Sequence, residues 1–549
     1  MGITIDGGSD AGDDGVFLRT NSSINVSVLS AAGKDTVLIA FRTAPNLSVD
    51  TGDGNDAITI EGGNVFPGLA GSTPVNGTLN TITVRSGSGD DSVSLNQLFA
   101  NNLDVDAGLG LDDVKIQGVN LRGNATIRGG GTLGSNVTVS ELVRNSFGRI
   151  DSMFSQPAVT EIETRIGGNV SISFNFELYV APPNSSTTPE NRVTVGVQYP
   201  YSTTDYMVIG GAIQVFGTIY EDNIRVTPLR AGSLQSDGGN GEDTITVSGV
   251  DVTGNINLLL GEGNDRGLIV EDAAQIVPNG VTPGNPIPLR IGGNLVVDYG
   301  NGNEVNSVET FAIGSRTSGL TSNFVVAGKL QVSGGNGSKA LNVRGARFGN
   351  VELRLGRDAS TQLDMHVVRI DGFARIFGGI GPDDWKLDAL DIGGDLSCLT
   401  GDGNDVVQLD GAVQIASHVG GSLLVDTGAG NDDVQLGFRE GQTGDSLFID
   451  NDLTIRTGTN DDEVSLQQAY ITDALLAQLG AGDDTMWMNN VQAKSGEADG
   501  GPGMASLSGQ YKGTSNSALV RRNFQFDILS DETVTTIAVR LLGENVGIE

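Results

Sequence analysis

The chain is short of the residues that usually carry chemistry or staple a fold. Cys398 is the only cysteine in 549 residues, so no intrachain disulfide can form. Two histidines (His366, His418), two tryptophans (Trp385, Trp487) and an aromatic content of 5% leave little for a sugar-cleaving site, which needs converging acids, a base and aromatic platforms. Basic residues are also scarce. The 32 Lys and Arg against 67 Asp and Glu give a net charge of −35, which argues against nucleic-acid or anionic-membrane partners. No run of 18 apolar residues occurs, which argues against membrane insertion by a helix. Asp6, Asp10, Asp13 and Asp14 stand where a signal peptide would carry a basic and then an apolar stretch, so the chain reads as processed or excised.

Glycine is abundant instead, at 81 positions, too many for a helical bundle. Hydrophobic residues still make up 38%, enough for a long core. The glycines punctuate a repeat. Residues 46–60 (NLSVDTGDGNDAITI) and 422–436 (SLLVDTGAGNDDVQL) match position for position, and the consensus is N-L-x-V-x-x-G-x-G-[N/D]-D-x-V-x-L. With its first residue as marker, copies start at 2, 25, 46, 81, 102, 124, 169, 212, 233, 255, 294, 329, 350, 373, 395, 422, 452 and 474. The spacings of 45 and 43 are read as hiding a degenerate copy each, and the other long ones as one unit plus a surface loop. Within a unit the apolar residues alternate, as Leu295 and Val297 or Val407 and Leu409 do, and a period of two means strand.

Three short strands per ~22 residues describe one coil of a parallel β-helix. The expected fold is all-β, a single parallel β-helix solenoid of about 18–20 coils, roughly 90 Å long at ~4.8 Å per coil. The predicted organisation is a β-helix over 1–488 with a loop excursion around 174–206, then a last coil and C-terminal cap over 489–549. The first strand, with Ile3 and Ile5, begins without a cap, so either the native protein continues upstream or rods pack end to end. Asn recurs at the marker, where stacked amides are expected to bond from coil to coil.

Ten residues past the marker stands an acid: Asp14 (with slippage in the first copy), Asp35, Asp56, Asp91 and Asp112, then Asp222, Asp243, Asp265 and Glu304, then Asp383, Asp405, Asp432, Asp462 and Asp484. Gly134, Tyr179, Lys339 and Ser360 interrupt the series. Carboxylates stacked ~4.8 Å apart repel by roughly 0.9 kcal/mol per pair even at the dielectric of water. Two compensations are open: hydrogen bonds from the backbone of the acid's own glycine turn, or a shared cation. The turns Gly52–Ile58, Gly401–Val407, Gly428–Val434 and Gly480–Met486 resemble the calcium-binding nonapeptide G-G-x-G-x-D-x-U-x of the RTX (hemolysin-type) family. They differ in occurring once per ~22 residues and never in nine-residue tandem. The resemblance implies Ca2+ as cofactor, with Asp35, Asp53, Asp56, Asp91, Asp112, Asp243, Asp265, Asp402, Asp405, Asp432, Asp462 and Asp484 as candidate ligands.

A second feature breaks the acidic pattern. Between Lys339 and Arg375 seven Lys and Arg stand against four acids. Arg344, Arg347, Arg354, Arg357 and Arg375 are the candidate partner-binding residues, for an acidic polysaccharide or another copy of the chain, with intercoil ion pairs as the plainer account. Catalytic residues are not assigned: the acids are dispersed by the repeat, and Cys398 sits at an inward strand position. The expectation is a secreted or cell-surface structural or adhesive β-helix, stabilised by calcium. A polysaccharide lyase or hydrolase and an acidic-glycan-binding module are the alternatives.

Overall fold

The computed structural model describes residues 2–8, 12–20, 24–41, 46–62, 79–131, 134–140, 142–144, 160–162, 164–174, 191–196, 207–270, 288–302, 308–314, 324–411, 415–437, 446–513 and 519–530. Every regular element among them is a β-strand. The chain divides into two compact units, 1–261 with 271–290 and 262–270 with 291–549, and each is a parallel β-helix.

In the first unit the strand at the marker, such as Asn25–Leu29, pairs in parallel with Gly2–Asp6 on one side and Asn46–Asp50 on the other. After the acid turn a second strand, Thr36–Phe41, lies between Gly15–Thr20 and Ala57–Gly62. A short third strand, Asn120–Leu121, pairs with Phe99–Ala100 and Arg165–Ile166. Alternation makes these strands one-sided: Val26 and Val28 are buried while Asn25 and Leu29 are exposed. Stacked in register, the inward residues form columns such as Val37, Ile58, Val93, Val114 and Val137. Each fully buried Val, Leu or Ile contributes roughly 1.5–3 kcal/mol relative to exposure, repeated at every coil.

The two longest marker spacings hide no extra coil. Ala125–Gly129 pairs directly with Val170–Phe174, which pairs directly with the strand starting at Ala212. The additional residues are therefore insertions, one of which carries an antiparallel pair, Leu142–Arg144 with Thr160–Ile162. The predicted excursion at 174–206 lies mostly outside the described residues. Its described part includes a coil strand, Asn191–Val195, between Asn136–Ser140 and Asp222–Val226.

The second unit repeats the plan. Marker strands run from Leu295–Asp298 through Ala374–Phe377, Leu396–Leu399 and Leu453–Arg456 to Leu519–Arg522, each pairing with the next coil in parallel. Parallel pairing continues past 488 as far as Phe524–Ser530; residues 531–549 lie outside the described part. Trp385 fills the core, its Nε1–H donating to Thr361 Oγ1 at 3.0 Å, and Cys398 is buried in the column of Ile376 and Val425. Burial pushes the Cys398 thiol up to about 12, so it is an inert core group. Among the described residues no helix is long and apolar enough to cross a membrane.

Candidate functional site: the acid turns and the arginine segment

The acid turn is set by two glycines. In the turn before Asp432, Gly428 and Gly430 take φ of 82° and 147°, a region that residues with a Cβ rarely enter. The bend swings the acid inward. Asp35, Asp56, Asp91, Asp112, Asp243, Asp265, Asp405, Asp432, Asp462 and Asp484 are all buried, between 0% and 3% exposed, rather than lining an outer edge.

One oxygen of each carboxylate is tied to the neighbouring coil. Asp14 N–H donates to Asp35 Oδ1 at 2.7 Å, Asp35 to Asp56 and Asp56 to Asp91 at 2.8 Å, and Asp91 to Asp112 at 2.9 Å. In the second unit the chain runs from Thr361 N–H to Asp383 (2.9 Å), then to Asp405 (2.8 Å), Asp432 (2.9 Å), Asp462 and Asp484 (both 3.0 Å). In these two runs the donor to Oδ1 is thus the equivalent residue one coil earlier; Asp222 in addition accepts at Oδ2 from Thr218 N–H of its own turn, at 2.6 Å. Where the acid is missing, polar stand-ins keep the relay. Asp112 N–H donates to Ser135 Oγ, Ser135 N–H to Asn191 Oδ1, and Asn191 Nδ2 to Asp222 Oδ1. Ser135 and Thr361 therefore occupy positions that the sequence count gave to Gly134 and Ser360, because an insertion or a shifted turn moves the register by one. By strand register Glu309 is aligned with Lys339, Thr361 and Asp383; Glu304 and Tyr179 lie outside the described residues.

The second oxygen differs. Oδ2 of Asp35, Asp56, Asp91, Asp112, Asp383, Asp405, Asp432, Asp462 and Asp484 is buried and receives no hydrogen bond. Five residues ahead of several of these acids stands a hydroxyl: Thr51, Ser86, Thr400, Thr427 and Thr457. Each hydroxyl lies within hydrogen-bond reach of a backbone carbonyl of the next coil, of Ser86, Ala107, Thr427, Thr457 and Leu479 respectively. The same hydroxyls favour the charged form of Asp56, Asp91, Asp405, Asp432 and Asp462, but burial opposes that form more strongly. Burial accordingly pushes Asp91, Asp112 and Asp462 up to about 7, and Asp222, Asp383, Asp405 and Asp484 to about 6. Asp56 and Asp432 move in the same direction for the same reason. The small hydroxyl residue before the first glycine is the sequence signal for this environment.

Two outer columns carry further caps. Asn431 N–H donates to Asn404 Oδ1, Asp461 N–H to Asn431, and Asp483 N–H to Asp461, so here the acceptor lies in the earlier coil, opposite to the inner ladder. At the markers, Asn124 N–H donates to Asn102 Oδ1, Asn169 N–H to Asn124, and Phe373 N–H to Asn350. The expected amide-to-amide bond is seen between Asn46 and Asn25, at 3.2 Å; in these other rungs the amide oxygen caps backbone.

Calcium takes six to eight oxygens. The inner acids have one oxygen bonded to backbone N–H and the other sealed in the core. Asp53 and Asp402 are exposed, and the column of Asp402 continues as Ala429, Thr459 and Ala481, without a second carboxylate. Among the described residues no three His, Cys, Asp or Glu side chains converge as metal ligands. These residues do not fit a calcium cage. Chelation with EDTA at constant ionic strength is therefore expected to leave the melting temperature within about 1 °C; a larger fall, reversed by millimolar Ca2+, would show that the turns open to take the ion.

The arginine segment is laced by ion pairs between coils. Arg344 pairs with Asp364, and Arg347 Nη2 with Asp371 at 2.9 Å. Arg369 bridges Asp371 and Asp391, and His418 lies between Asp391 and Asp450 at 3.4 and 3.2 Å. Arg347 and Arg369 hold Asp371 below the usual carboxylate range. Arg354 pairs with Glu352 at 3.1 Å in its own strand, Arg375 lies over the Phe373 ring, and Arg357 is exposed in a turn. Comparison of the chain with protein-family models, with curated proteins and with solved structures finds no match.

Proposed function

We propose that this chain is a non-enzymatic β-helix that serves as a structural or adhesive element at a cell surface or in an extracellular matrix. The observation that carries the reading is the use to which the acids are put. The acids that the repeat places at its turns are buried one per coil, with one oxygen holding the backbone of the neighbouring coil. Such groups stiffen a scaffold. A glycosidase instead needs two carboxyl groups facing one bond from opposite sides.

The test is turnover on a panel of polyuronates, galactans and glucans, read as new reducing ends or as absorbance of unsaturated uronate. No product is expected after a day at micromolar protein. Product formation that persists through purification and is lost in an acid-to-amide variant would replace this reading with the enzyme. In the same samples, retention on polysaccharide-coated surfaces is expected without loss of the coat.

A further inference from the structure

The outward face of the second unit carries one patch unlike the rest of a chain of charge −35. Lys329, Arg354 and Arg375 stand on three successive coils of the marker sheet around a single carboxylate, Glu352, which pairs with Lys329 and Arg354 and is the register partner of Arg375. Lys329 Nζ lies 3.0 Å from Glu352 Oε2 and Arg354 Nη2 3.1 Å from Oε1, and Glu352 is held below its usual range by them. Among the described residues no other carboxylate makes an ion pair with the three cations, so two positive charges stay uncompensated.

Both guanidinium groups are braced on rings. Arg354 lies 4.5 Å over Phe377, its register partner in the next coil, and Arg375 lies 4.7 Å over Phe373. Stacking fixes the flat face of a guanidinium and leaves its N–H rim pointing away from the ring, where it offers a fork to a planar anion. Arg354 and Arg375 sit diagonally on adjacent strands, with Cα atoms roughly 7–8 Å apart. Ser333 and Ser397 extend the same lane by one coil on either side. Asp298 and Asp426 then close it at both ends.

We propose that this lane binds a polyuronate, a polysaccharide bearing planar carboxylates, with Arg354 and Arg375 each gripping one carboxylate through paired N–H contacts. The proposal deepens the reading of the chain as an adhesive scaffold and rests on it. A polymer suits the lane better than a second copy of this chain does. From Ser333 to Ser397 the lane spans four coils, about 14 Å, with Asp298 and Asp426 beyond its ends. A rigid acidic protein face would have to meet those acids, whereas a thin flexible chain can follow the lane alone. Arg344 and Arg347, whose charges are spent on Asp364 and Asp371, take no part.

The experiment is binding of the full chain to oligogalacturonates and polygalacturonate by calorimetry at 25 mM salt. Saturable binding is expected, weakened at least tenfold at 300 mM salt. The variant Arg354→Ala/Arg375→Ala should lose at least tenfold in affinity, and Arg354→Lys/Arg375→Lys, which keeps charge but not the fork, an intermediate three- to fivefold. Arg344→Ala/Arg347→Ala should change affinity less than twofold. Circular dichroism melts show whether each variant is folded, and the Lys pair decides the matter if the Ala pair is not. Equal binding to neutral dextran, tighter binding to a sulfated polymer, or no binding would overturn the proposal. So would self-association in sedimentation that the Ala pair abolishes. Cleavage of the polyuronate would instead overturn the scaffold reading, so the two failures are told apart.

Discussion

The chain is expected to melt higher at pH 5 than at pH 8, by on the order of 5–10 °C, the reverse of ordinary acid denaturation. The cause is the inner acid ladder. Asp91, Asp112 and Asp462 are pushed up to about 7, and Asp222, Asp383, Asp405 and Asp484 to about 6, chiefly because burial penalises the charged form. In the unfolded chain the same groups titrate near 3.9. A folded-state value above the unfolded one means that the folded chain holds the proton more tightly. That stability is fully present below about pH 4 and is lost as pH rises through 6 to 7. A single group raised by two to three units accounts for on the order of 3 kcal/mol, although stacked neighbours titrate together and their contributions do not simply add. Glu352 and Asp371 shift downward, so their contribution is lost only below the usual carboxylate range, outside the pH 5–8 interval.

General charge repulsion in a chain of net charge −35 has the same sign, and two controls separate it. Salt at 0.5 M screens exposed charges but not a buried column, so most of the difference should survive. Asp405→Asn keeps the oxygen that accepts Asp383 N–H and puts an amide where the proton would sit. It should raise the melting temperature at pH 8 and leave it nearly unchanged at pH 5. Asp402→Asn, at an exposed turn position, removes the same charge and should do little at either pH. Equal effects of the two substitutions would mean that global charge, not the buried ladder, sets the pH dependence.

What the sequence makes legible is whatever follows from the repeat. Marker residues meet their counterparts across coils, as Asn46 does with Thr81 and Lys329 with Asn350, because strands of period two must stack in register to bury one face. The direction of the acids was not legible. Alternation fixes which side chains point inward only along a strand, and between Val425 and Asp432 the chain passes through two glycines with positive φ, where that count fails. The hand-over at Ser135 and Asn191 is hidden in the sequence because insertions separate the two residues from the regular count. The arginine pairs were legible only as a local excess of charge, since Arg347 meets Asp371 through a coil length that must be known first. The phenylalanines under Arg354 and Arg375 gave no periodic signal at all.

Gly430→Ala is expected to be among the most damaging single substitutions in the second unit, at a cost on the order of 3–5 kcal/mol. A methyl group there would sit 1.4 Å from the carbonyl oxygen of Gly403 and 2.4 Å from its carbon, atoms of the preceding coil's backbone that no side-chain movement can clear. The residue's φ of 147° adds a conformational cost. Coils in this turn are stacked as backbone on backbone: Gly430 N–H donates to Thr459 O at 3.0 Å on the far side, so the turn cannot retreat without breaking that bond. Two coils must therefore separate locally, which exposes the buried carboxyls of Asp405 and Asp432 to water. Hydrogen exchange should accelerate at 401–405 and 428–434 before it does elsewhere in the unit. It should also lower the apparent pKa of those acids toward the ordinary range and flatten the pH dependence of melting. Gly15→Ala is the comparison, because a methyl group there meets nothing closer than Phe17 at 3.6 Å, and it should cost less than about 1 kcal/mol. If both substitutions prove equally mild in urea melts, the glycines are there for turn propensity alone, and close backbone stacking does not hold the acid turn in place.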